Sequence, residues 1–172
     1  MLEGVADIEI VAEAQTGAEA LELTTEASPD VIMMDLRMPD LDGIAAVCRD
    51  IAARYPIASV HLDYIRFVSE TMSEGAIYPG DERSLSLFNA ESGHEADVGS
   101  PDWKAAFDDW RRSKVTALVR QIRAEIAAAS PQIQLTAAVW RRPALARDRY
   151  LQASAQWANE GLLDMFMPMI YT

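Results

Sequence analysis

The sequence has few of the residues that hold disulfides or structural metals. It contains one cysteine, Cys48, and two histidines among 172 residues. One cysteine excludes an intrachain disulfide, and no His/Cys cluster has the spacing of a zinc site. Cys48 falls in a helical pattern, which favours a small buried hydrophobic residue over a nucleophile. We therefore expect a fold stabilised by its apolar core, without a metal or other cofactor.

Positive charge is also scarce. The chain has 15 Lys and Arg residues against 27 Asp and Glu residues, which gives a net charge of −12. Nucleic acids and anionic membrane surfaces require basic patches, so we expect neither as a partner. No apolar run is long enough to span a bilayer. The first ten residues, MLEGVADIEI, lack the features of a signal peptide, so the expected location is cytoplasmic.

What the chain does have is an alternation of strand and helix patterns. Strand patterns occur at residues 8–14, 30–36, 60–67, 134–140 and 164–171. Helical patterns begin near residues 16, 44, 102 and 146. This alternation predicts a single α/β domain over residues 1–172, with a five-stranded parallel sheet and right-handed crossovers.

The order of the five strands can be predicted from general rules. Sequential strands usually pair, so we expect the order 1-2-3-4-5, an open sheet that resembles half a barrel. The alternative is a flavodoxin-like order. Pro168 has no backbone N–H and suits an edge strand. Exposed apolar edges at residues 8–14 and 164–171 would recruit partners, which predicts a homo-oligomer, most simply a dimer.

The strand at residues 60–67, VHLDYIRF, contains an unusual pair. Side chains alternate between the faces of a strand, so His61 and Asp63 share one face. A buried carboxylate is costly unless it is paired or hydrogen-bonded. Asp63 is therefore either a structural residue held by His61 or Arg66, or a site residue at the carboxyl end of a parallel strand.

Residues 68–99 differ in composition from the rest. They are rich in Gly, Ser and acidic residues and show no sustained period. Long segments of this kind inside compact domains are usually functional lids or disordered. We predict a loop that lies over the carboxyl end of the preceding strand.

Residues 30–43, DVIMMDLRMPDLDG, resemble the phosphoacceptor segment of response-regulator receiver domains. Residues 1–50 resemble the middle of such a domain, with a βαβα pattern. The resemblance implies that Asp35 is the phosphoacceptor and that residues 38–39 begin the flanking loop. The acidic pair that holds Mg²⁺ in receivers, and their later Lys, have no match in this sequence. Phosphoryl transfer depends on charge neutralisation, so we expect Asp35 to be inactive.

Residues from about 49 to 172 are similar to a second family. The blocks RDIAARYP, VHLDYIRF, DDWRRSKVTALVRQIR, LTAAVW and LLDMFMPMIYT resemble a bacterial barrel family of the glycosyl hydrolase-like 10 type. The resemblance implies a (β/α)₈ barrel that acts on glycosides. Asp63 would be the catalytic acid. The implied substrate-binding residues are His61, Arg66, Trp140 and Tyr171.

The barrel-like segment, residues 51–172, is short for this function. A complete barrel takes about 200 residues or more, and glycosidases normally use two carboxylates. No second acid was found on a strand end of this segment. We therefore expect a chimeric or truncated protein without efficient activity of its own. The alternatives are a carbohydrate-binding or weakly hydrolytic protein that uses Asp63, and a receiver phosphorylated on Asp35.

Overall fold

The computed structural model describes residues 9–14, 17–35, 44–67, 77–94 and 98–170. Its elements in chain order are α1 (Gly17–Ala27), β1 (Val31–Asp35), α2 (Ile44–Arg54), β2 (Ser59–Asp63), α3 (Glu82–Ser92), α4 (Pro101–Ala129), β3 (Gln134–Trp140), α5 (Pro143–Tyr150), α6 (Ser154–Asn159) and β4 (Met165–Met169). The predicted α/β class is confirmed.

The sheet of the described residues has four parallel strands in the order β1-β2-β3-β4. The expected count of five was wrong, because residues 9–14 form no regular secondary structure. Their alternating apolar pattern is typical of a strand, but a strand also requires a neighbour and a buried face. Ile10 and Val11 instead have 43% and 50% of their surface exposed. The four remaining strands are sequential neighbours, as expected.

The main core lies against one face of this sheet. Val60 and Leu62 of β2 point into it, together with Leu135 and Val139 of β3. The helices that contribute to this core, α2, α4 and α6, therefore pack on the same face of the sheet. Cys48 is fully buried there, and burial raises the pKa of its thiol to about 12. This agrees with the expectation of a buried hydrophobic residue.

A second cluster of aromatic residues joins α3 to the first half of α4. Phe88 of α3 is completely buried against Trp103 and Phe107 of α4. The ring of Phe88 meets both rings edge to face, at centroid distances of 5.4 and 5.1 Å. Such aromatic pairs stabilise beyond the area they bury.

Helix α3 corrects the prediction of a continuous loop over residues 68–99. The Asp81 side chain caps the helix by accepting from the Ser84 N–H at 2.9 Å, and Gly93 ends it with a left-handed φ of 71°. Of the residues of α3, Phe88 alone is buried. With Phe88 buried and Leu85 partly buried beside it, the apolar stripe of α3 is too short for periodicity to reveal the helix. Residues 68–76 and 95–97 lie outside the described part.

The helix predicted to begin near residue 146 is two helices. α5 begins at Pro143, ends at Tyr150, and is followed by Leu151 in a left-handed conformation with φ of 54°. α6 then begins at Ser154. The break turns the side chain of Gln152 inward, where it is completely buried.

Candidate functional site

The candidate site begins where β2 ends. The strand stops at Asp63, four residues earlier than predicted, because Tyr64 adopts a left-handed conformation with φ of 57°. The Asp63 Oδ1 atom accepts a hydrogen bond from the Tyr64 N–H at 2.8 Å. The alternation of faces is therefore broken, and Ile65 packs in the main core instead of beside His61. Asp63 remains half-buried at the carboxyl edge of the sheet.

The His61 side chain contacts the neighbouring strand. Its Nδ1 atom lies 2.7 Å from the Oγ1 atom of Thr136, and both residues are buried. Burial lowers the pKa of His61 below its ordinary value, and the nearby charge of Asp63 offsets part of this effect. His61 is thus neutral at pH 7, and it joins β2 to β3.

Arg66 lies among three aromatic rings at the same edge. Its guanidinium carbon is 4.1 Å from the ring centroid of Tyr64, 5.1 Å from that of Tyr150 and 5.6 Å from that of Trp140. Cations at these distances are attracted to the ring faces. Trp140 and Tyr150 also stack on each other, with centroids 4.1 Å apart and planes 10° from parallel. Tyr150 therefore covers one face of the Trp140 ring.

Gln152 was not identified from the sequence, although it holds these segments together. Its Oε1 atom accepts from the Trp140 N–H at 2.9 Å. Its Nε2 atom donates to the carbonyl of Ala138 at 3.1 Å and to that of Ile65 at 3.3 Å. One amide thus fixes the end of β3 to the turn after β2. The sequence carried no signal for it, because Gln152 fell inside a predicted helix.

A second carboxylate lies on the neighbouring strand. Asp35 is the last residue of β1, and it is the register partner of Asp63 at the end of β2. Neighbouring strands are about 4.8 Å apart. In the sequence, Asp35 belongs to the receiver-like residues 1–50, whereas the glycosidase resemblance covers residues 51–172. The structure therefore places at neighbouring strand ends two residues for which the two resemblances imply separate functions.

The other sequence-predicted residues are distributed as follows. Asp63 and Trp140 end β2 and β3, His61 lies in the middle of β2, and Arg66 follows that strand. Tyr171 and residues 38–39 lie outside the described residues. Within the described ranges, no group of three or more His, Cys, Asp and Glu side chains could hold a metal ion. The helices described here include none long and apolar enough to cross a membrane.

Comparison with known families agrees with this arrangement of βα units. The sequence model of the family described as glycosyl hydrolase-like 10 matches residues 13–172. This chain belongs to that family. The match begins well before residue 51, so it includes most of the segment that resembles a receiver. The family match and the receiver resemblance of residues 1–50 therefore overlap.

Curated relatives support the receiver resemblance over part of the chain. The transcriptional regulatory protein DegU of Brevibacillus brevis is 38% identical over 76 residues, 40% of this chain and 32% of DegU. LiaR of Bacillus subtilis is 48% identical over 54 residues, 30% and 26% of the two chains. A protein-glutamate methylesterase/protein-glutamine glutaminase of Methanospirillum hungatei is 31% identical over 116 residues, 64% and 29%. The chain spans less than a third of the length of each relative.

Proposed function

We propose that this chain is a recombined segment of a (β/α)₈ barrel of glycoside-hydrolase type, with a carbohydrate-binding site at the carboxyl edge of β2 and β3. The observation that carries the proposal is the convergence of Asp63, Arg66 and Trp140 at that edge. Barrels of this class place their active sites at the carboxyl ends of the strands. The sequential parallel order and the one-sided core helices are also typical of a barrel, since doubly wound sheets have helices on both faces.

Each residue has a distinct role in this proposal. Trp140, stacked against Tyr150, contributes aromatic surface against which a sugar ring can pack. Arg66, restrained by the surrounding rings, donates to sugar hydroxyl groups. Asp63 acts as the acid or carboxylate at the glycosidic bond. His61 is neutral and orients β2 through Thr136 without carrying charge into the site.

Asp35 is the proposed partner of Asp63. Glycosidases that retain configuration have carboxyl groups about 5–5.5 Å apart, and inverting enzymes have them about 6.5–9.5 Å apart. Asp35 and Asp63 are register partners at the ends of neighbouring strands, and we propose the retaining mechanism for this pair. In that mechanism one carboxylate attacks the sugar while the other protonates the leaving oxygen.

We expect weak binding and no efficient turnover from the 172-residue chain. A substrate groove on a barrel is built from loops that follow eight strands, whereas the described part has four. A chimeric origin, in which receiver βα units precede barrel βα units, accounts for the two similarities in one chain. The receiver similarity supports a second candidate function, phosphorylation of Asp35, which a separate experiment tests.

The carbohydrate proposal can be tested by NMR titration with a panel of α- and β-linked oligosaccharides. The four tryptophans give four indole N–H signals, and the signal lost in Trp140→Phe identifies Trp140. We expect this signal to shift on binding. Asp63→Asn and Arg66→Gln should each weaken binding about tenfold, because each removes a charge-assisted hydrogen bond.

A matched control is Arg83→Gln, which removes a positive charge from the exposed side of α3. It should bind the oligosaccharide as the wild type does. Unchanged affinity in both site variants would contradict the proposal. So would binding that shifts other indole signals and leaves that of Trp140 in place.

A further inference from the structure

The sheet has two edges that no described strand covers. β1 pairs with β2 and β4 pairs with β3, and neither has a second neighbour among the described strands. Exposed edges are usually protected by lysine, proline or a bulge. The edge strands read VIMMD and MFMPM, so Pro168 and the terminal Asp35 are their protective residues, and neither strand contains lysine or arginine. Within the described ranges, each of these strands has one strand neighbour and can accept a second.

The same edges carry exposed apolar side chains. Val31 of β1 is 52% exposed, and Met165 and Met167 of β4 are 48% and 43% exposed. Ile170, immediately after β4, is 69% exposed. Apolar surface of this kind on strands that have one described neighbour each marks an interaction surface.

Charge distribution favours association through the strands. The chain as a whole carries a net charge of −12, yet the four strands contain just two charged residues, Asp35 and Asp63, both at the carboxyl end. The described ion pairs, such as Arg120–Glu160 and Arg49–Glu125, instead involve the helices and the segments beside them. Contact between sheet edges therefore avoids most of the charge that would make two copies repel each other.

We infer that a second copy of this chain pairs with both edges and closes an eight-stranded barrel. The inference rests on the barrel architecture of the proposed function. Because all strands are parallel, β4 of one copy can lie beside β1 of its partner with the same direction and with its helices on the same side. A two-fold axis repeats this contact once, so two four-stranded sheets give the eight strands of a (β/α)₈ barrel. No edge then remains open.

Closure would also change the candidate site. The carboxyl edges of both copies would form one ring, with Asp63 of each copy on opposite sides. Each site would then be bordered by strand-end loops of the partner, which the single chain does not provide. Dimerisation would thus supply the parts of a substrate groove that the four described strands lack.

The test is sedimentation velocity on the 172-residue chain from about 1 to 100 μM. The expected species has twice the 19.0 kDa mass of one chain. Val31→Lys and Met167→Lys each place a positive charge that is exposed in the monomer but buried where β1 of one copy meets β4 of the other. Each should therefore weaken the dimer about 100-fold. Leu87→Lys and Val98→Lys add the same charge at residues that are 46% and 58% exposed and lie outside the sheet. These controls should dimerise normally, and circular dichroism checks that all four variants fold.

Hydrogen exchange gives a second measurement that does not depend on variants. The amides of β1 and β4 should exchange more slowly as the protein concentration rises. A monomer throughout the concentration range overturns the inference. If the β1 and β4 amides of that monomer are protected at every concentration, its own chain covers the edges. Oligomers that grow beyond two copies overturn closure, and a dimer unaffected by Val31→Lys and Met167→Lys overturns the location.

The outcome separates this inference from the proposed function. A closed dimer whose Trp140 indole responds to no oligosaccharide supports the assembly and contradicts the carbohydrate proposal. A monomer that binds an oligosaccharide at Trp140 supports the carbohydrate proposal and contradicts the assembly.

Discussion

Asp35 and Asp63 are register partners at the last positions of two neighbouring parallel strands. This relationship bears directly on phosphorylation. A phosphoryl group on Asp35 would add negative charge on the strand next to that of Asp63, and like charges repel. In receivers such charge is neutralised by Mg²⁺ and Lys, and the sequence matches neither feature.

We therefore predict no phosphorylation of Asp35 by acetyl phosphate with Mg²⁺. The measurement is intact-protein mass spectrometry after incubation, with Asp35→Asn as the control. A gain of one phosphoryl group that is absent from Asp35→Asn would contradict this prediction and support the receiver function. Asp63→Asn gives a further comparison, because it removes the neighbouring charge.

Stability should fall as the pH is lowered through the range of histidine titration. The folded state holds the pKa of His61 below its ordinary value of 6.5 because the ring is buried. The unfolded chain binds the proton first, so acid favours unfolding and stability is fully present above the ordinary value. Urea unfolding between about pH 5 and 7 should show this slope in the wild type.

His61→Gln should lose most of that slope, whereas His94→Gln, at an exposed position, should keep it. The carboxylates titrate in a separate, lower range. Hydrogen bonds from Arg123 and Arg120 hold the pKa values of Asp164 and Glu160 below their ordinary values of 3.8 and 4.5. Their contribution is present above those values and is lost in stronger acid. An equal slope in wild type and His61→Gln would assign the effect to other groups.

Gln152→Met should destabilise the protein by about 2–4 kcal/mol, because it leaves buried backbone groups without hydrogen bonds at nearly constant volume. The groups affected are the N–H of Trp140 and the carbonyls of Ala138 and Ile65. Chemical denaturation followed by circular dichroism measures the change. Gln134→Met, at an exposed residue of β3, should alter stability by less than about 0.5 kcal/mol. Similar values for the two variants would show that the Gln152 amide contributes little.

Phe88→Ala should release α3 from α4 and make Arg83 sensitive to trypsin. Arg83 is the single Lys or Arg between residues 68 and 99, so cleavage there reports on this segment directly. Removing a buried Phe costs about 3–5 kcal/mol, and Phe88 is the one buried residue of α3. The rate of appearance of the fragment ending at Arg83 is measured by mass spectrometry. Leu87→Ala, at an exposed neighbour, should be cut no faster than the wild type.

The sequence predicted the elements whose signals are local. The bounds of α2 and β3 were predicted correctly, because a strong apolar period and a continuous apolar run ended at Pro or charged residues. β2 was overextended, since nothing in the residue types indicates that Tyr64 adopts a positive φ. α3 was missed because a capping side chain, one buried ring and the bonds from Trp110 and Lys114 to Glu91 fix it, and none of these gives an apolar period.

The candidate site was predicted in part for similar reasons. Asp63, Arg66 and Trp140 could be named because they follow strand patterns. Their mutual arrangement depends on Gln152, whose partners are 12 to 87 residues away in sequence. The pairing of Asp35 with Asp63 depends on register, which periodicity does not specify between two strands that are apolar on both faces.

Helix α4 contributes to two cores that share no residue. Its Trp103 and Phe107 belong to the aromatic cluster, while Val119 and Ile126 belong to the main core. The first half of the helix can therefore lose its partner α3 while the second half stays packed on the sheet. The segment between β2 and α4 can therefore change between relatives at little cost to the sheet and the main core. We expect relatives to differ most in length in this segment, while β2 and the second half of α4 stay the same.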